Sequence, residues 1–166
     1  MSDGAKEIAW RQLGAALDML DRAIGACPDV LWNRSSTQMG FWYIAYHTLW
    51  FVDFDFSLST ETFHSPAFDV HEYELRQQAP PYEYRYSKAD VSDYLKRCRA
   101  MCKRSIASLP ESDRTLRGCH RKNVSFLEMV LGQIRHVQHH AAQLNLLLRQ
   151  EVDDAPLWIN RASDHL

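Results

Sequence analysis

Apolar residues recur along the chain at the three- and four-residue spacings that line one side of a helix. Trp10, Leu13, Leu17, Leu20 and Ile24 do so in the first segment, predicting a helix from Ser2 to about Gly25. Cys27-Pro28-Asp29 ends it, because proline has no amide hydrogen with which to continue the ladder. A second segment follows Ser35-Ser36-Thr37, any of which suits an N-cap, and runs to about Leu58. Met39, Tyr43, Tyr46, Trp50 and Phe54 form its stripe, with His47 inside it. Phe41, Trp42, Phe51 and Phe56 make the other sides apolar too, so burial on more than one face is expected. Such an aromatic run also suits a strand; its length and its 3.6-residue period favour helix.

Between residues 59 and 86 the pattern breaks. Pro66, Pro80 and Pro81 interrupt any period, and Tyr82, Tyr84 and Tyr86 alternate with charges. A connection this long either covers the core or serves a site, and the tyrosines could close over a pocket. The third helix is predicted from Ser87, as cap, to about Leu109, with Val91, Leu95, Cys98, Cys102 and Ile106 or Ala107 inward. After a polar stretch, Ser125-Phe126-Leu127-Glu128 has the capping-box pattern and opens a last helix to about Glu151. Its stripe is Leu127, Val130, Ile134, Val137, Ala141, Leu144 and Leu148. Trp158 and Ile159, beyond Pro156, are expected to dock back. The pattern predicts an all-α fold, an antiparallel four-helix bundle with a long irregular connection between helices two and three.

Composition narrows the function. The 166 residues fit one domain. Lys+Arg 19 against Asp+Glu 21 leaves a net charge of -2, which argues against a nucleic-acid protein with its usual basic excess. No stretch approaches the ~18 apolar residues of a membrane span, and the first residues do not read as a secretory signal. Four cysteines are too few for a disulfide scaffold, so reduced thiols and a cytoplasmic location are expected.

The candidate chemistry is histidine. On a helix His136 and His140, four apart, can face one ion, whereas His139 turns away from His140 by roughly 100°. Such a pair alone is a weak sign of metal. His47, on the apolar face of a different helix, offers a third imidazole, although a histidine there also reads as a core residue bonded to a carbonyl. Imidazole suits zinc, nickel, iron and copper. Three protein ligands leave room for water or substrate, as in catalytic zinc. Val137 after His136 removes the general base of the His-Glu-x-x-His proteases. Glu61-Thr62-Phe63-His64 is the one Glu-x-x-His match to a di-iron site and lies in the irregular region. Cys98 and Cys102, or Cys119-His120, could make a second metal or redox site; small buried thiols are the simpler reading.

Ala45-Tyr46-His47-Thr48 and His136-Val137-Gln138-His139-His140-Ala141-Ala142-Gln143-Leu144 resemble the DinB-like (damage-inducible) family of four-helix-bundle proteins. The resemblance implies metal ligands at His47, His136 and His140, carrying one divalent transition metal such as zinc, nickel or iron. Many members continue the last histidine with Arg-Gly-Gln; here Ala141-Ala142-Gln143 keeps only the glutamine. It further implies a small-molecule substrate, with thiol-dependent transferases and isomerases that use a low-molecular-weight thiol among the members. Homodimers are common among them, and the aromatic girdle of helix two suggests a face that one core does not cover. The alternative is a non-catalytic metal- or ligand-binding bundle.

Overall fold

The computed structural model describes residues 1–34, 40–57, 63, 85–109 and 124–166. The helices are α1 (Asp3–Ala26), α2 (Asp29–Trp32), α3 (Phe41–Phe56), α4 (Lys88–Ala107) and α5 (Phe126–Val152). Among the described residues there is no strand, so the aromatic segment is helical. The four long helices are the predicted bundle. The short α2 was not expected; it forms immediately after Pro28, whose fixed φ suits the position before a helical turn. The proposed caps Ser35, Ser36 and Thr37 lie outside the described residues, as do Glu61, Thr62, His64, Tyr82, Tyr84, Cys119 and His120.

The caps of the last two helices are local and fall where the sequence puts them. Ser87 Oγ accepts from the Asp90 amide at 3.1 Å, and Ser125 Oγ from the Glu128 amide at 3.2 Å. Each bond satisfies an amide that has no partner within its helix. Asp153, at φ 55°, closes α5 in the left-handed conformation and turns the chain back.

Both α1 and α3 pack on α4 and on α5. Cys27 lies by Lys88 and Asp18 by Arg99, so α1 and α4 are antiparallel. Arg34 pairs with Glu151, and Phe56 meets Phe126, so α3 and α5 are antiparallel as well. Tyr86 lies by Trp42, and Cys98 by Leu49. The long connection therefore returns the chain to the end where α3 begins, and α4 runs alongside α3 in the same direction, as a crossover permits.

Trp10, Leu13, Leu17, Leu20 and Ile24 are buried, as are Val91, Leu95, Cys98, Cys102 and Ile106. Each large apolar side chain so buried contributes about 1.5–3 kcal/mol of transfer free energy. The aromatic side chains Phe41, Trp42, Tyr43, Tyr46, Trp50, Phe54 and Phe56 are also buried within the chain. Of the α3 girdle, Phe41, Trp42 and Phe56 are thus covered by this core, and Phe51 is partly buried. On α5, Leu127 is 41% exposed; Phe126, Met129 and Gln133 are buried beside Val130 and Val137. The buried face is rotated towards the flank that carries His136 and His140.

The C-terminal segment packs along α1. The Ala162 amide donates to the Arg11 carbonyl at 2.9 Å, and Trp10 Nε1 to the Asp164 carbonyl at 3.2 Å. Ile159 docks as expected, its amide on Met19 Sδ at 3.2 Å; Trp158 does not, being 67% exposed. Gly14 is required here, since a Cβ at that position would stand 2.8 Å from Ala162 Cβ.

Candidate metal centre

α3 and α5 bring the three predicted histidines together. The His47 ring lies 5.7 Å from that of His136 and 5.0 Å from that of His140, and the two α5 rings are 4.7 Å apart. One nitrogen from each lies within 4.8 Å of the other two. Antiparallel packing produces this: one histidine from α3 enters between two from successive turns of α5. His139 is exposed and contributes no atom to the cluster, as the helical geometry requires. Among the described residues no cysteine or carboxylate joins the three histidines.

The surroundings fit a transition metal. All three imidazoles are half-buried. Phe51 closes one side, its ring 4.9 Å from His47 and 5.6 Å from His136. Burial pushes the His140 pKa down to about 4, with His47 and His139 adding to the shift and the bond to Gln143 opposing it. His140 is therefore neutral at pH 7 with a lone pair to offer, and protons compete for its nitrogen only well below the ordinary histidine value of about 6.5. His140 Nδ1 lies 2.7 Å from Gln143 Oε1. An amide oxygen only accepts, so Nδ1 carries the proton and Nε2 is left for an ion. Gln143 is the glutamine that the resemblance to an Arg-Gly-Gln continuation rests on, and the structure gives it this contact.

A cleft of about 350 Å³ opens on the cluster, lined by Tyr43, Ile44, His47, His140, Gln143 and Leu147 among others. Its walls are mostly apolar, with the imidazoles and the amide as the polar groups, a composition typical of small-molecule sites. Tyr86 does not line it. That ring packs in the core against Trp42 at 5.6 Å and Tyr46 at 4.6 Å, and its carbonyl accepts from Trp32 Nε1. Cys98 and Cys102 are buried free thiols, and burial pushes both pKa values well up, away from the thiolate that metal or redox chemistry needs.

Two residues that the sequence reading passed over stand between the helices that carry the histidines: Asp55 of α3 and Gln133 of α5, both buried and hydrogen-bonded to each other. Their signal was present as polar residues inside apolar stretches. Among the described residues no helix is long and apolar enough to cross a membrane.

No curated protein and no solved structure matches the chain. A model of the DinB superfamily matches residues 12–144, from the first half of α1 to the turn of α5 beyond His140. That match takes in α3 and α4, most of α1 and α5, and the three clustered histidines, and the chain belongs to the DinB superfamily.

Proposed function

We propose that the protein is a metal-dependent small-molecule enzyme, a thiol-dependent S-transferase or isomerase, with one divalent transition metal held by His47, His136 and His140. The observation that carries this reading is a three-histidine cluster that opens on an apolar cleft of about 350 Å³. A structural zinc has four protein ligands; a catalytic one has three and an open position.

Bound there, the metal would supply a Lewis acid that lowers the pKa of an incoming thiol, about 8.5 when free, so that thiolate is present at neutral pH. The protein's own part is to bind, orient and exclude water. Gln143 holds the proton on His140 Nδ1 and so turns Nε2 towards the ion. Tyr43, Ile44 and Leu147 shape the cleft for an apolar portion of the substrate and limit water at the reacting sulfur. In a transfer, the thiol would give up its proton to solvent, its sulfur would form the new bond to an electrophilic carbon, and the leaving group would depart with the bonding pair of the bond that breaks. The low starting pKa of a thiol explains how the site works without a glutamate after His136. A homodimer and a cytoplasmic setting belong to the same reading; the dimer rests on the family, and sedimentation at micromolar concentration tests it.

The cobalt-substituted protein tests the chemistry. Cellular thiols should induce sulfur-to-cobalt charge-transfer bands, and a thiol with an electrophile should turn over in wild type and not in His47→Ala. Absence of both across a thiol panel would leave a non-catalytic metal-binding bundle.

A further inference from the structure

The face on which α3 meets α5 is apolar and aromatic, yet a polar pair stands within it. Asp55 is 1% exposed and Gln133 is fully buried. Gln133 Nε2 donates to Asp55 Oδ2 and lies 3.5 Å from the Phe51 carbonyl oxygen. Gln133 Oε1 accepts no hydrogen bond from the described residues. A pair of this kind is a poor source of stability, because desolvating a carboxylate and an amide offsets much of what their bond returns. Apolar side chains of similar size would hold two helices together at least as well.

What the pair supplies is position. Contacts among phenylalanine, tryptophan and leucine change little when one helix slides on another, whereas a buried hydrogen bond is lost. Buried polar pairs are best attested as devices that set helix register. Here the spacing matches on both helices. His47 lies eight residues before Asp55, and His140 seven residues after Gln133. Seven residues return His140 to within about 20° of Gln133, and eight leave His47 about 80° round from Asp55, still on the part of α3 that meets α5. A slip of one turn would move His47 by about 5.4 Å, more than the separation of the ligand atoms now facing one another.

We infer that the Asp55–Gln133 hydrogen bond sets the axial register of α3 on α5, making both positioning residues for the His47–His136–His140 cluster. The consequence for metal affinity rests on the metal reading above; the register itself does not.

The test compares wild type, Asp55→Asn and the double variant Asp55→Leu/Gln133→Leu, all metal-free and then titrated with zinc. In the metal-free protein, nuclear Overhauser effects between the His47 and His140 ring protons report the register directly. They should be present in wild type and in Asp55→Asn, whose amide oxygen still accepts from Gln133, and absent or weakened in the double variant. Zinc affinity should follow, falling at least tenfold in the double variant while its melting temperature stays at or above that of wild type. If the leucine pair does not fold, Asp55→Asn/Gln133→Met removes the donor at nearly constant shape, with the same loss expected. Unchanged ring contacts and unchanged zinc affinity in the folded double variant would overturn the inference. A wild type that shows the ring contacts but takes up no zinc would overturn the metal reading alone, and the ring contacts would still decide the register.

Discussion

Gln143 Oε1 lies 2.7 Å from His140 Nδ1, three residues apart on α5, and this short contact decides which nitrogen of His140 faces the cluster. Of the other two members of that cluster, His136 lies one turn earlier on α5 and His47 comes from α3, about ninety residues earlier in the chain.

Gln143→Ala should weaken zinc binding by about 10–100-fold, the usual effect of removing the partner of a metal-bound histidine. Gln143 is exposed, so the fold should be unaffected. Gln143→Glu, which still accepts from Nδ1, should restore most of the affinity. Calorimetric titration of the three proteins with zinc checks this; equal affinity in all would remove Gln143 from the site.

Removing a ligand should remove the ion. His47→Ala, His136→Ala and His140→Ala are each expected to lose most bound metal, and His139→Ala to keep it. Elemental analysis of protein purified without an affinity tag distinguishes these outcomes. Undiminished metal in His140→Ala would refute the assignment.

The tail contributes a pH-dependent stability. Arg99 and Lys103 donate to Asp164 at 2.6 and 2.7 Å, and the bond to Arg99 is the main reason its carboxyl lies well below the ordinary carboxylate range. A carboxylate with a depressed folded pKa stabilises fully above its unfolded value, about 3.9, and loses that contribution as pH falls through the folded value. The pairs are partly exposed and screened, so about 1 kcal/mol is expected. Asp164→Asn should therefore melt lower than wild type at pH 7, and the gap should narrow steadily below about pH 4. A gap of constant size from pH 7 to pH 2 would contradict this origin.

Gly14→Ala sets helix propensity against packing. Alanine favours a helix interior by about 1 kcal/mol over glycine, but overpacking a closed contact costs about 1–3 kcal/mol. Because the new Cβ would stand 2.8 Å from Ala162 Cβ, the contact should win, with a net loss of about 1 kcal/mol and easier proteolysis of the tail. Ala162→Gly added to Gly14→Ala should recover the loss. Thermal melts of the two single variants and the double variant give the coupling directly, and purely additive effects would show that the tail does not close on Gly14.

What the chain order alone determined is what neighbouring residues decide among themselves. Helical period, the Ser87 and Ser125 caps and the shared face of His136 and His140 depend on residues a few positions apart, and all are legible in the sequence. The place of His47 on the apolar stripe of another helix made it a candidate third ligand, and the family resemblance assigned it together with them. Tertiary structure decided the rest. Whether Leu127 or Met129 faces the core depends on where the bundle axis falls, which no single helix encodes. The direction of α4 depends on a long crossover, and Tyr86 ends in the core because α3 lies beside the start of α4. The lowered pKa of His140 needs the burial that a second helix provides. The Asp55–Gln133 bond joins residues 78 positions apart, and a polar side chain in an apolar run declares its partner only once two helices are placed face to face.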